Sequence, residues 1–307
     1  MKKPLCTLGY AALLGFLAQT PGLSQVDDSR YQFRVTVDLI SLNVTVTDTR
    51  NRFITDLLQE EFSVFEDGIS QEVSVFSRED LPIRMVLLID ASASMNEKMA
   101  FAQEAAVNFV GEMKDDDLTE VVDFGSRAHV LQPFTADVAK LNRAIRMTQA
   151  GGTTSLYNAL YIALKNLSRR RQDIRRQAII VLSDGEDTSS LVTFDQVMEL
   201  AKDTDVTIYT ISLRKSGGPR SRAFSRAEHV LKKLAEETGG QWFFPGQLQE
   251  LDSVYARIAT ELKSQYNIGY VSNNPKRDGS WRRVVVQTSI QNLLVRTKLG
   301  YYAPKEQ

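Results

Sequence analysis

Two short runs with no polar residue, Met85–Ile89 and Ala178–Leu182, constrain this chain most. A strand with one wet face alternates apolar and polar side chains; an unbroken apolar run fits a strand covered on both faces, as in a parallel sheet packed between helices. The first run stops at Asp90, and Ser92 and Ser94 follow at alternating positions before a helical pattern over Glu97–Met113. The second ends in Ser183-Asp184-Gly185-Glu186-Asp187. Both therefore finish in carboxylates at the strand end, where open α/β sheets bind ligands. Two readings of the first cluster stand side by side. Asp90 or a serine caps the following helix, or these hard oxygens hold Mg²⁺, Ca²⁺ or Mn²⁺ rather than zinc.

Between the runs lies Gly151-Gly152-Thr153-Thr154-Ser155-Leu156-Tyr157-Asn158-Ala159-Leu160, a glycine turn with hydroxyls leading into an apolar-periodic helix. A D-x-S-x-S at the first strand end, a threonine after a Gly-Gly turn and S-D-G-x-D at the second strand end resemble the von Willebrand factor type A domain and its metal-ion-dependent adhesion site. The resemblance implies a doubly wound, mostly parallel, Rossmann-like α/β sheet. It also implies that Ser92 and Ser94 ligate a metal through their hydroxyls, with Asp90 and Asp184 beside it directly or through water. Thr154 would be the mobile ligand; it is preferred to Thr153 because S-L-Y-N-A-L follows it as in family members. Mg²⁺ takes six oxygens and gives up water reluctantly, and in the family a partner's carboxylate fills the position these residues leave open.

The rest of the chain sets that domain in context. Residues 1–24 read as a secretory signal: Lys2 and Lys3, an apolar core over Leu5–Ala18, and small residues at Gly22-Leu23-Ser24. That core is short for a bilayer span, with an uncleaved anchor as the alternative, and no other segment is apolar enough to cross a membrane. Cys6, within the signal-like segment, is the only cysteine, so the mature chain is expected to have no disulfide and no thiol chemistry. A net charge of −1 argues against a nucleic-acid partner. Residues 26–80 alternate as antiparallel β, with a change of parity at Ile40-Ser41 that predicts a bulge or bend. Phe62–Phe65 and Val73–Phe76 read as one hairpin with a longer loop around Glu66-Asp67-Gly68. From 84 to 263, apolar runs alternate with helical patterns, covering more than half of the 307 residues. Trp242, Phe243 and Phe244 are expected in its core.

Residues 264–307 return to β, with strands at Gln265–Val271, Trp281–Thr288 and Leu293–Leu299. The two flanks are expected to pack together, so that the α/β domain is inserted into a β module. Phe62-Ser63-Val64-Phe65-Glu66-Asp67-Gly68 and the ending Arg296–Pro304 resemble a group of bacterial secreted proteins related to the same family. Arg169–Arg171 with Arg175 and Arg176 read as a solvated helix end whose cations complement the dipole. The basic stretch Arg214–Arg226 reads as a solvated loop or as a rim that steers an acidic partner toward the metal. His129 and His229 lie far apart, and no Ser-His-Asp set or P-loop occurs. The expected function is that of an exported, non-enzymatic, metal-dependent protein-binding module, secreted or in the cell envelope, whose partner supplies an acidic side chain. The alternatives are a metal-dependent hydrolase or phosphotransferase using Asp90, which Ser92 disfavours where such folds carry a second acid, and a non-catalytic envelope scaffold.

Overall fold

The structure, a computed structural model, describes residues 38–169, 175–183, 186–213 and 222–305. The signal-like segment, Phe33–Val37, Asp184, Arg170 and Arg171 of the first basic stretch and most of the second lie outside the described residues.

The first flank supplies β1 (Leu39–Asp48), β2 (Phe62–Glu66), β3 (Ile69–Gln71) and β4 (Val73–Ser77). The central part begins with β5 (Ile83–Asp90), α1 (Met99–Gly111), β6 (Leu118–Phe124), β7 (Ala128–Thr135), α2 (Val138–Met147) and α3 (Leu156–Ser168). It continues through β8 (Arg176–Ser183), α4 (Phe194–Lys202), β9 (Thr207–Ser212), α5 (Arg222–Glu237), β10 (Trp242–Phe243) and α6 (Leu251–Lys263). The last flank adds β11 (Tyr266–Val271), β12 (Trp281–Thr288), β13 (Leu293–Arg296) and β14 (Gly300–Tyr302).

The central sheet has the order β10-β9-β8-β5-β6-β7. All neighbours are parallel except β6 and β7. All eight residues of β5 are buried, and its alternation explains the unbroken apolar run. Met85, Leu87 and Ile89 face the core shared with α1, α2 and α6. Val86 and Leu88 face the opposite core, shared with α3, α4 and α5. Each such side chain contributes on the order of 1.5–3 kcal/mol by leaving water, so a polar residue in this run would be punished on either face.

The flanks do pair with each other. One four-stranded sheet has the order β13-β1-β11-β4 and the other β14-β12-β2-β3. Between them lie Ile40, Leu42, Val44 and Val46 of β1, Phe62 and Val64 of β2, Tyr266, Ile268 and Tyr270 of β11, and Val284 and Val286 of β12.

Several expectations need correction. No bulge interrupts β1 at Ile40-Ser41: Ile40 is buried with Leu42, Val44 and Val46 while Leu39 is exposed, and β1 stays in continuous register with β11 from Leu39 to Val44; Phe33, Val35 and Val37, on which the other parity rests, lie outside the described residues. The expected hairpin of Phe62–Phe65 with Val73–Phe76 does not form. Asp67 (φ 49°) and Gly68 (φ 83°) make a two-residue turn with both φ positive, which closes β2 directly onto β3 with Glu66 opposite Ile69. β4 then leaves for β11 in the other sheet. The final strand breaks after Arg296, and β14 joins β12 rather than extending β13. Trp242 is exposed, with the Lys232 ammonium 5.3 Å from its ring centroid, because β10 is the edge of the sheet. Arg176 is not a solvated helix end. It opens β8, is buried, and donates to the carbonyls of Leu262 (2.7 Å), Gln265 (2.7 Å) and Glu79 (2.9 Å).

Candidate functional site

β5 carries Asp90 to the carboxyl edge of the sheet, where its carboxylate is fully buried. Oδ1 accepts the Ser92 amide (2.8 Å) and Oδ2 accepts the Ser183 hydroxyl (2.5 Å). Asp90 thus shapes its own loop and joins the ends of β5 and β8. The capping reading fails on geometry. α1 starts after Lys98, with no side-chain cap bond. Ser92 precedes the short 3₁₀ turn Ala93–Met95, and its side chain does not cap it. The Ser92 and Ser94 hydroxyl oxygens instead lie 3.0 Å from each other; Ser92 is buried and Ser94 exposed.

The glycine turn lies against this loop. The Gly151 amide donates to Ala91 O (2.7 Å), and the Ala93 amide donates to Gly152 O (3.1 Å). Such proximity needs small residues. A Cβ on Gly125, the residue after β6, would lie 3.0 Å from Gly151 O and 3.2 Å from Ala91 O. Gly152 has φ +77°, and a Cβ there would lie 2.4 Å from Ser126 Oγ.

The two threonines have different surroundings. Thr153 donates its amide (3.2 Å) and hydroxyl (3.1 Å) to Ser126 Oγ. Thr154 is buried at 5% exposure, with its backbone held by the loop after β8. Its amide donates to Thr188 Oγ1 (3.0 Å), and its carbonyl accepts the amides of Thr188 (2.8 Å) and Ser189 (3.1 Å).

That loop brings in residues the sequence reading did not single out. Asp187 Oδ1 accepts the Tyr157 amide (3.1 Å) at the start of α3 and the Ser190 hydroxyl (2.5 Å). Asn158 Oδ1 accepts the amides of Leu191 and Val192, both at 3.2 Å. The signal for Asp187 was present in S-D-G-x-D; nothing local marks Asn158 or Ser126, whose partners lie tens of residues away. The Tyr157 phenol is pushed up to about 12, first by burial and then by the negative charges of Asp187 and Glu186, so it stays neutral at physiological pH.

Of the five residues singled out from sequence, Asp90, Ser92 and Ser94 share one loop, and Thr154 sits on the turn bonded to that loop. Asp184 falls between the described residues Ser183 and Glu186. Among the described residues, no three His, Cys, Asp or Glu side chains form a group able to hold a metal. Ser155 Oγ, next to Thr154, and Ser189 Oγ, in its partner loop, are buried with no hydrogen-bond partner among the described residues. A buried hydroxyl left in that state costs about 1–3 kcal/mol, so this corner suits an ion or water.

A parallel sheet between two helical layers, with hydroxyls and a carboxylate at one strand end, defines a class of ligand-binding α/β domain. Residues 85–186 match the model of the von Willebrand factor type A domain, and the chain carries a domain of that family. An uncharacterized protein of Borreliella burgdorferi is 28% identical over 142 residues, 43% of this chain. This chain spans only 41% of that relative's length. A UPF0353 protein of Mycobacterium leprae is 26% identical over 241 residues, 70% of each chain. Among solved structures, the von Willebrand factor type A protein from Catenulispora acidiphila superposes with a TM-score of 0.52 at 14% identity, covering 90% of this chain and 76% of that one. This last similarity speaks for the fold.

Proposed function

We propose that this chain is an exported, non-enzymatic protein-binding module that recognises an acidic group of its partner through a divalent cation. The cation is Mg²⁺, or Mn²⁺ or Ca²⁺, at Ser92, Ser94 and Thr154, with Asp90 and Asp184 beside it. One observation carries the reading: two backbone hydrogen bonds, Gly151 N to Ala91 O and Ala93 N to Gly152 O, lay the threonine turn along the loop that holds the paired serine hydroxyls. The donor set, hydroxyls with carboxylate, fits a small hard cation and suits zinc poorly. When bound, the cation would supply the positive charge that a partner carboxylate answers. Export is supported by Lys2, Lys3 and the apolar Leu5–Ala18, which suit secretion or the cell envelope. No described helix is long and apolar enough to cross a membrane.

Use of Asp90 as a nucleophile has less support. Its carboxylate is fully buried, and both oxygens accept protein hydrogen bonds.

Calorimetric titration of the metal-stripped protein with Mg²⁺, Mn²⁺ and Ca²⁺, with and without millimolar acetate or glutamate, tests the proposal. Heat in the native protein that is lost in Ser92→Ala/Ser94→Ala is expected. Equal heats in both proteins, or none in either with the surrogate carboxylate present, would remove the metal from the function.

A further inference from the structure

Each of the three sheets ends in two edge strands. Natural edges are guarded against pairing with another chain by shortness, proline, charge or bulges. β7 carries Pro133 and two irregularities of register. β10 has two residues, and Pro245 follows close behind. β3 and β14 have three residues each, and β13 ends in Arg296. β4, Val73-Ser74-Val75-Phe76-Ser77, holds neither proline nor charge. Its one neighbour is β11. Two features guard it. Ser74 is the extra residue of a bulge, since the adjacent Gly269 and Tyr270 pair with Val75 and Val73. Gln59 Nε2 donates to Val73 O (3.2 Å). Both act at the Val73 end, so the edge stays open from Val75 to Ser77.

The outer face beside this edge is apolar. Val75, Leu39 of β1 and Val271 of β11 are all exposed. Leu39 lies opposite Val271, and Val75 opposite Gly269. A Cβ on Gly269 would lie 3.0 Å from Val75 Cβ and 3.2 Å from Leu39 Cδ1. The two side chains therefore lean together over bare backbone, and the apolar stripe runs up to the open edge. Charge brackets the strand. Glu72 and Arg78 stand three residues before and after Val75, and both are exposed. Neither has an ion pair among the described residues.

We infer that β4 is a self-association edge, to which a second copy of this chain adds its own β4 antiparallel, with Val75 of both copies on the two-fold axis. In that register Glu72 of each copy falls opposite Arg78 of the other, and the symmetry makes the ion pair twice. The charge order selects a second copy as the occupant: an acid before the open stretch and a base after it complement an antiparallel copy of themselves. The bulge at Ser74 offsets Glu72 by one position in the ladder, which the long glutamate and arginine side chains absorb. The Leu39–Val75 stripe then continues across the axis into its counterpart, and its exposed side chains are covered. The open stretch is short, so the interface is of the small, transient size class and the dimer depends on concentration.

The test is sedimentation equilibrium of the whole protein over graded concentrations, where native protein should show monomer and dimer. Glu72→Arg and Arg78→Glu should each weaken dimerisation about tenfold, the scale for reversing two cross-strand charge pairs at once. The double variant Glu72→Arg/Arg78→Glu should regain the native affinity. Val75→Lys, an exposed change, should leave monomer. In a Cys6→Ser background with oxidised glutathione, Val75→Cys should form a disulfide-linked dimer. Residues on the axis of an antiparallel pair lie about 4.5–5.5 Å apart, within disulfide reach. Ser77→Cys, which falls opposite Val73 of the other copy, should stay unlinked. Monomer at every concentration would overturn the inference. So would a dimer indifferent to Val75→Lys, which would place the contact elsewhere, or one weakened by the single reversals and not restored by the double.

Discussion

The β module built from both flanks depends on a buried ion pair that is open to measurement. Arg282 on β12 and Glu66 on β2 have side chains only 2% exposed, with Nη1 3.1 Å from Oε1. Arg282 also donates to Ser272 Oγ (2.8 Å), to Asn274 O (3.2 Å) and to the carbonyl of Lys276. Glu66 further accepts Tyr270 OH (2.9 Å), Tyr301 OH (2.8 Å) and Ser272 Oγ (2.6 Å). Removing one partner of a buried pair costs about 3–5 kcal/mol, because the other charge is stranded. In Arg282→Met the three hydroxyls still solvate Glu66, which places that part near 3 kcal/mol; the two abandoned carbonyls add roughly 1 kcal/mol between them. We expect a loss of about 4 kcal/mol and a Tm lower by roughly 8–16 °C. Glu66→Gln keeps the acceptor for both tyrosines and strands the guanidinium, so a loss of about 3 kcal/mol is expected. The double variant strands no charge and should recover about 2 kcal/mol relative to the sum. Denaturant unfolding followed at Trp281, adjacent to Arg282 and stacked edge-on against Tyr302 at 5.1 Å, reads the module directly. Single variants within about 1 kcal/mol of native, or a coupling below about 0.5 kcal/mol, would refute this account.

Other consequences can be checked more briefly. Gly152→Ala should lose on the order of 1–2 kcal/mol because of its positive φ and weaken metal binding by calorimetry, since the new Cβ would also push on Ser126. Gly68→Ala, at φ +83° with no atom within 4 Å of the new Cβ, should show a similar stability loss in thermal melts and unchanged metal binding. Burial raises the Asp123 carboxyl above its ordinary value, against the opposing hydrogen bond from His129. The folded state therefore binds that proton more readily than the unfolded state, and this group's contribution to stability falls as pH rises from the ordinary aspartate range through the folded value. Asp123→Asn should remove that slope in melts run across mildly acidic pH; an unaltered slope would contradict the assignment.

How much of this could be read from sequence follows from the range of the interactions. The α/β core was legible because burial of a strand on both faces leaves a local signature, and β5 and β8 carry it without interruption. The serine loop was legible for the same reason: Asp90, Ser92 and Ser94 are neighbours in the chain. The β flanks were legible as strands but not as pairings. Whether Phe62–Phe65 meets Val73 or Ile69 is decided by Asp67 and Gly68 both adopting positive φ, a two-residue choice that a longer apolar repeat can mask. Arg176 was misread because charge and position relative to a helix say nothing about three carbonyl acceptors, two of them more than eighty residues downstream. Asn158 and Ser126 escaped notice because their partners are loops that only the fold brings together.

The β module joins the central sheet at one end only. β5 enters the central sheet at Ile83 and runs toward Asp90, while α6 runs back from Leu251 to Lys263. Both junctions with the β module therefore fall at the amino end of the parallel strands, opposite the serine loop. Arg176 sits at that end and ties the two crossings together, bonding Glu79 before β5 and Leu262 and Gln265 around the end of α6; its amide also donates to Pro82 O (2.9 Å). A second tie lies nearby. Glu261 of α6, fully buried, accepts Tyr209 OH of β9 (2.9 Å) and Thr45 Oγ1 of β1 (3.3 Å), and pairs with Arg296 of β13. Removing Glu261 would take an acceptor from two buried hydroxyls and leave Arg296 with Gln241 Oε1 (3.2 Å) as a partner, so the register of α6 against β1 and β13 is specified by polar contacts as well as by packing. Insertion at this end gives the module a grip on both chain crossings at the end of the strands opposite Asp90 and the serine loop.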